Sequence, residues 1–455
     1  MSDLALASTK AKAVTIHLIE KDGLSNAEGL SDVALNWAKT NRFTGQPQKI
    51  LCVPDKTGKL ESVLFGLGED PDPMITGLLP SRLPAGNYKI TDTVLEPHLA
   101  TLGWCLGAYV FNDYNSKKPV AAKLSVPSSV DKAKVEREAS ATFLARDLIN
   151  TPANDMGPDE LEAAIRKLGK THKATVSVVK GDALLRKNFP MIHAVGRAST
   201  SAPRLIDLKW GNARHPKVTL VGKGVIFDSG GLNIKPGGSM LLMKKDMGGA
   251  ANVIALAKMI MVAKLPVRLR LLVPAVENAI SGNAFRPGDI LPSRKGITVE
   301  IGNTDAEGRL VLGDALALGD EENPDMMIDM ATLTGSARVA LGPDLPPFYT
   351  DDEELAGLLS DASENLHDPL WRLPLWQSYQ KMLSSKIADV NHVSQNSFAG
   401  SITAALFLSR FVENAKSWVH LDIFGWVPAA KPWAQVGGEA QGIRALFEVI
   451  SKRYS

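Results

Sequence analysis

Short apolar runs alternate along the chain with longer segments whose apolar residues recur at helical spacing. Residues 13–20, 49–54 and 62–67 have the length and apolar density of strands. Residues 95–111 place Leu99, Leu102, Leu106 and Val110 on one helical face. A polar stretch containing Pro and Lys, 115–131, reads as a boundary between domains. Residues 130–150 then have helical spacing and stop at Asn150-Thr151-Pro152. Beyond it, 218–222, 269–274, 298–301 and 326–330 are apolar runs of strand length, with helical stretches such as 248–262 and 309–318 between them. Strands alternating with helices predict a mostly parallel, buried sheet with helices on both faces. The expected class is α/β with two domains. A small N-terminal α/β domain would cover 1–128, with no role legible in it. A larger C-terminal α/β domain would cover 129–455, its mostly parallel sheet flanked by helices.

The length of 455 residues agrees with more than one core. Lys+Arg 51 against Asp+Glu 49 leaves a formal charge of +2, and that balance argues against a surface built for nucleic acid. The two cysteines, Cys52 and Cys105, lie among apolar neighbours. Both are expected to be buried small hydrophobes rather than a disulfide or a thiolate metal site. Residues 1–20 have no basic start followed by an apolar h-region, so no signal peptide is expected. No run of about eighteen consecutive apolar residues occurs, so no membrane span is expected and the location would be cytoplasmic. Internal repeats and low-complexity blocks are absent from the sequence.

In parallel α/β sheets ligands bind beyond the carboxyl ends of the strands, and the unusual polar clusters fall at those ends. After the strand ending near Gly222 comes Lys223-Gly224-Val225-Ile226-Phe227-Asp228-Ser229-Gly230-Gly231. This is not a phosphate loop, whose Lys is followed by Ser or Thr at a helix start, whereas Gly224 follows here. Lys235, Met243 and Asp246 come next, and after 298–301 comes Asn303-Thr304-Asp305-Ala306-Glu307-Gly308-Arg309. Taken singly, Asp246 reads as a helix-start carboxylate and Asp-x-Glu-x-Arg as a solvated loop. Superposed strand ends would instead gather Asp228, Asp246, Asp305 and Glu307 on one edge with Lys223, Lys235 and Arg309. Acids converging in a dry cleft repel and protonate unless cations compensate. Two divalent ions balance four carboxylates, which favours a two-metal site over a one-metal site.

None of the eight histidines sits in these motifs. An oxygen-rich donor set suits Mg, Mn, Zn or Co rather than copper or iron–sulfur centres. Lys223 would ligate only as a neutral amine, which burial beside two dications would produce. Two ions about 3.5–4 Å apart can share one water and ionise it to a hydroxide nucleophile at neutral pH. His420, in an apolar strand-like run, and His193 are expected to be hydrogen-bonded core histidines rather than catalytic bases.

At these residues the chain resembles the leucyl (cytosol) aminopeptidase family of two-metal exopeptidases. Asn303-Thr304-Asp305-Ala306-Glu307-Gly308-Arg309-Leu310 looks like the family's signature octapeptide, a highly specific motif. Further matches are 221–231, Met243-Lys244-Lys245-Asp246-Met247-Gly248-Gly249-Ala250, 274–289, Ala331-Thr332-Leu333-Thr334-Gly335 and 145–158. The likeness runs from residue 145 to the C-terminus, and the first third is similar in size and alternation to the family's variable α/β domain.

The resemblance implies that 129–455 is a catalytic metallopeptidase domain and that Lys223, Asp228, Asp246, Asp305 and Glu307 are metal ligands, with Asp228 and Glu307 bridging. Lys235 would polarise the scissile carbonyl and stabilise the oxyanion. Arg309 would hold a bicarbonate acting as general base. The substrate's α-amine would ligate one metal, which restricts attack to the N-terminal residue. Met243, Thr332, Leu333, Gly335 and Phe424 would line the substrate pocket. Phe424 stands where many members have Ala, and 431–440 also departs from the best-known branch, so the resemblance does not fix side-chain preference, and Phe424 is expected to shorten the pocket. Two divalent ions per chain (Zn or Mn, with Mg or Co as alternatives), peptide substrates and a homohexamer with inward-facing sites are further implications. A two-metal phosphoesterase is a rival reading, which the octapeptide opposes. A non-enzymatic binding protein on the same scaffold is another. Against it, all of Lys223, Asp228, Lys235, Asp246, Asp305, Glu307 and Arg309 are present, and the charge is near neutral.

Overall fold

The first sheet is covered on both faces at its centre, where residues 62–68 are buried without a break. Its strands are Val14–Glu20 (β1), Ile50–Pro54 (β2), Leu60–Gly68 (β3), Gly86–Ile90 (β4) and Ala122–Leu124 (β5), in the order β2-β3-β1-β4-β5. All neighbours are parallel except β2 and β3. Ile16, Val63, Phe65, Tyr88 and Trp104 meet in its core. The expected helix is present as Pro97–Gly107, with Leu99, Leu102 and Leu106 buried. The structure, a computed structural model, describes residues 3–8, 12–91, 95–115 and 120–454.

One expectation fails in this part and another is incomplete. The stretch 115–131 is not only a boundary, because β5 lies within it and pairs with β4. A three-residue strand is too short to show periodicity, and 116–119 lie outside the described residues. Cys105 is buried, but Cys52 is exposed. It sits on edge strand β2 and points away from the core that its neighbour Val53 enters.

The second sheet is built from Thr175–Lys180 (β6), Arg204–Trp210 (β7), Lys217–Gly222 (β8), Gly224–Asp228 (β9) and Arg268–Asn278 (β10). Ile290–Pro292 (β11) and Thr298–Glu300 (β12) leave it, and Met326–Ala331 (β13), Pro347–Tyr349 (β14) and Trp371–Arg372 (β15) rejoin it. Val390–Asn391 (β16) pairs with β12, and Trp418–Asp422 (β17) completes the main sheet. The order is β15-β14-β17-β13-β8-β10-β7-β6, with β9 against β10. The central strands β17, β13, β8 and β10 run parallel, so their carboxyl ends share one edge. Helices Gly248–Ala263 and Gly308–Asp320 pack on these strands.

The expected strand at 298–301 exists but belongs to a separate three-stranded sheet, β11-β12-β16. Only Val299 of β12 is buried, the pattern of a half-exposed ribbon rather than a central strand. Residues Met243–Ala263 form one continuous helical stretch long and apolar enough to cross a bilayer, yet 83% of its most apolar window is buried inside the protein. It is a core helix.

The chain divides into two compact units, Met1–Phe143 with Ala429–Val436 and Leu144–Pro428 with Gly437–Ser455. The fold is a two-domain α/β arrangement with helix-flanked sheets.

Candidate metal centre

Every expected acid of the cluster lies at the shared edge of the second unit. Lys223 occupies the break between β8 and β9, and Asp228 ends β9. Asp246 lies in the 3-10 turn Met243–Met247 that leads into the core helix. Asp305 and Glu307 lie in and just after the turn Thr304–Ala306 that opens helix Gly308–Asp320. One carboxylate oxygen each from Asp228, Asp305 and Glu307 lie within 4.8 Å of one another. Asp246 joins them through Lys223, whose Nζ lies 2.6 Å from Asp246 Oδ2 and 3.1 Å from Glu307 Oε1. Lys235 Nζ lies 2.8 Å from Asp228 Oδ2 and 2.5 Å from Asp305 Oδ1.

Local sequence explains this convergence. A Cβ on Gly308 would sit 2.4 Å from Lys223 Cε, so the octapeptide needs glycine where the lysine passes. Gly230 has φ of +88°, and a Cβ there would meet Asn233 O at 2.4 Å. That turn lets Asn233 and Thr304 clasp each other. Thr304 N donates to Asn233 Oδ1 at 2.8 Å, Asn233 N donates to Thr304 Oγ1 at 2.8 Å, and the Thr304 hydroxyl donates to Gly230 O at 2.7 Å. The clasp sets Asp305 against Lys235.

The electrostatics are those of an acidic cluster held together by two ammoniums. Burial pushes the Glu307 carboxyl well above its usual range, and Asp228 adds to the rise. Asp305 is raised for the same reasons. Burial opposes charge on Lys223, but Asp246 and Glu307 outweigh it and hold its ammonium above the usual lysine range. Lys235 behaves likewise, with Asp228 dominant.

Among the described residues, six buried side-chain oxygens have no hydrogen-bond partner: Ser125 Oγ, Asn278 Oδ1, Asp246 Oδ2, Asp305 Oδ1, and Glu307 Oε1 and Oε2. Five of the six belong to this cluster. Lysine ammoniums approach Asp246 Oδ2, Asp305 Oδ1 and Glu307 Oε1 as ion pairs without hydrogen-bond alignment, and Glu307 Oε2 has neither. Buried carboxylates converging with only two ammoniums to offset them, and with Glu307 Oε2 left without a partner, fit hard divalent cations.

A cleft of about 250 Å³ opens over the cluster. Lys223, Asp228, Lys235, Asp246 and Asp305 line it, together with Met243, Thr332, Leu333, Gly335 and Phe424. Glu307 and Arg309 are not in its lining; both are buried, at 1% and 7% exposure. Arg309 Nη1 donates to His392 O at 2.7 Å while its Nε has no partner. Burial lowers its guanidinium to about 10, still charged at neutral pH.

Several residues escaped the sequence reading. Asn278, at the end of β10, donates from Nδ2 to Asp228 Oδ1 at 2.8 Å and to Thr304 O at 3.0 Å. His392 braces the octapeptide, with Nε2 2.9 Å from Asn303 O and Gly302 N donating to Nδ1 at 3.2 Å. Burial and Arg309 push its imidazole down to about 3, so it is neutral, and this network places the proton on Nε2. Asp422, at the end of β17, accepts from the backbone N–H groups of Leu333 and Thr334 and the hydroxyls of Thr334 and Ser401. It fixes the loop that carries the pocket residues. An Asp at a strand end was the only available signal for it.

His420 is a fully buried, hydrogen-bonded histidine paired with Asp329 at 2.5 Å. His193 is not in the core: it lies partly exposed against Asp182 at 3.2 Å, at a position of helix Pro190–Gly196 that faces outward between its buried neighbours Ile192 and Ala194.

Comparison with known proteins finds one family across the chain. The model described as "Cytosol aminopeptidase family, catalytic domain" matches residues 143–447, and that of the "M17 aminopeptidase, N-terminal domain" matches 14–127. A probable cytosol aminopeptidase of Syntrophotalea carbinolica is 40% identical over 83% of this chain and 78% of its own. One from Rhizobium meliloti is 36% identical over 92% of this chain and 90% of its own. The crystal structure of a cytosol aminopeptidase from Coxiella burnetii is 46% identical and covers 100% of both chains with a TM-score of 0.94. The bottromycin maturation enzyme BotP in complex with Mn is 31% identical, with a TM-score of 0.87 over 97% of this chain and 99% of its own. The chain therefore belongs to the cytosol aminopeptidase family of M17 peptidases, and is a metal-dependent aminopeptidase.

Proposed function

We propose that this protein removes N-terminal residues from peptides at a centre of two divalent ions held by Lys223, Asp228, Asp246, Asp305 and Glu307. The observation that carries the reading is the convergence of buried carboxylates at one sheet edge, where Glu307 Oε2 has neither a hydrogen bond nor an ion pair. Two ions of Zn or Mn, with Mg or Co as alternatives, would supply an ionised water at neutral pH and a Lewis acid for the carbonyl. A BotP structure solved in complex with Mn supports the choice of manganese.

The chain's own residues do the rest. Asp228 and Glu307 would be the innermost of the residues holding the ions, at 2% and 1% exposure. Lys235, in the cleft lining, would release its carboxylates to them and turn its ammonium to the oxygen where negative charge develops. Arg309 would hold a bicarbonate as proton acceptor, and its unpartnered Nε supports an anion beside it. Met243, Thr332, Leu333, Gly335 and Phe424 would receive the N-terminal side chain, on the loop that Asp422 fixes. In this reading 129–455 carries the chemistry and 1–128 has a role still to be assigned. The protein would be cytoplasmic and homohexameric, with no membrane or nucleic-acid partner.

An aminoacyl anilide and an aryl phosphate, assayed on one metal-loaded preparation, separate this reading from a phosphoesterase. Hydrolysis of the anilide alone is expected, and hydrolysis of the phosphate alone would overturn it.

A further inference from the structure

The Phe424 ring carries two cations. Lys245 Nζ lies 5.0 Å and Arg338 Cζ 4.6 Å from its centroid, within cation–π range. Both line the cleft beside Met243, Thr332 and Leu333. Lys245 is only 4% exposed. Among the described residues, neither cation has an ion pair or a side-chain hydrogen bond.

The carboxylates nearby are committed elsewhere. Asp246 faces Lys223 with Oδ2 and accepts from the Thr332 hydroxyl with Oδ1 at 2.8 Å. Asp422 accepts from two backbone N–H groups and two hydroxyls. Like charges brought over one ring repel, and a buried ammonium without an anion is costly. The ring compensates only in part.

We propose that this corner of the cleft takes the side-chain carboxylate of an N-terminal Asp or Glu, held between Lys245 and Arg338. The proposal rests on the aminopeptidase reading above. An aliphatic side chain would leave both cations unpaired, and a basic one would add a third like charge. A carboxylate accepts from both and neutralises the corner. Its one or two methylenes lie along the Phe424 ring, which fills the space a longer chain would need.

The test uses the full-length, metal-loaded protein and compares kcat/KM for aspartyl and glutamyl anilides with asparaginyl and glutaminyl anilides. These isosteres differ in charge, and the anilides carry no C-terminal carboxylate. The acidic substrates are expected to be preferred by about tenfold or more, chiefly through KM, with the ratio falling as salt rises. Arg338→Gln, at an exposed position, is expected to cut that ratio about tenfold, and Arg338→Glu to turn preference toward lysyl anilide. Free dipeptides compared with their amides form a second arm. Sensitivity to amidation, with acidic and isosteric anilides cleaved alike, would mean that the cations bind a peptide C-terminus, and would overturn the proposal. Equal cleavage of all neutral and acidic anilides overturns the specificity while leaving the aminopeptidase reading intact. A metal-replete protein that cleaves no anilide overturns both.

Discussion

Lys223 Nζ sits 2.6 Å from Asp246 Oδ2, and both side chains are only 4% exposed. The carboxylates around it hold that ammonium firmly protonated. Ligation needs a neutral amine, and Glu307, raised well above its usual range by burial, must also be ionised to ligate. Metal uptake is therefore expected to release protons at neutral pH, at least one per chain. Calorimetric titration of the apoprotein in buffers of different ionisation enthalpy measures this. An apparent binding enthalpy independent of buffer would contradict it.

Lys235 and Arg309 are assigned to chemistry rather than to ligation, so Lys235→Ala and Arg309→Ala are expected to keep their metal. Loss of an oxyanion donor commonly lowers kcat by ~10²–10³, and this is the expectation for Lys235→Ala. Arg309→Ala is expected to lose less, and to show none of the stimulation by bicarbonate that is expected of the intact enzyme. Lys235 also bridges Asp228 and Asp305. If it only braced these acids, its removal would release metal and leave the rate per loaded enzyme unchanged. Metal content and kcat on the same sample decide between the two roles.

The site was legible in the sequence where its chemistry is packed into short motifs. Lys223 precedes and Asp228 ends one five-residue strand, and Asp305, Glu307 and Arg309 share one turn and helix start. The parallel core was legible because its strands are long, apolar runs. Contacts between distant segments were not. Asn278 reaches Asp228 across 50 positions and His392 reaches Asn303 across 89, and nothing local marks either partner. The histidines looked idle because none lies within a motif, yet His392 braces the octapeptide from a separate ribbon. The same ribbon explains the misplacement of β12, since three residues hold too little pattern to tell a side sheet from a central one.

Phe424 is half-buried in the cleft lining, in the corner where the N-terminal side chain is expected. Phe424→Ala is expected to raise kcat/KM for bulky N-terminal residues relative to Ala, by ~1–3 kcal/mol of discrimination. A panel of aminoacyl anilides measures the ratio. An unchanged ratio would move the pocket away from Phe424.

Away from the cleft, Asp329 holds His420 Nδ1 at 2.5 Å and accepts from Trp418 Nε1 at 2.8 Å, with His420 and Asp329 fully buried. Burial opposes charge on His420, but Asp329 outweighs it and raises the imidazole above 6.5. For a base raised in the folded state, the contribution to stability is fully present below 6.5 and is lost as pH rises through the raised value. Asp329→Asn is expected to destabilise by about 3–5 kcal/mol at acidic pH, because it leaves the imidazolium unpaired. The difference from the parent protein is expected to narrow toward alkaline pH. Denaturant midpoints across that range test this, and a pH-independent difference would contradict it.

Rate measured against metal content tests the central reading most directly. Apoprotein prepared by chelation is titrated with Mn or Zn, and hydrolysis of an aminoacyl anilide is followed alongside bound metal per chain. Activity is expected to return fully, to reach its maximum only as bound metal approaches two ions per chain, and to be lost together with metal in Asp305→Ala. Full activity at one ion per chain, or activity that survives chelation, would contradict a two-metal aminopeptidase.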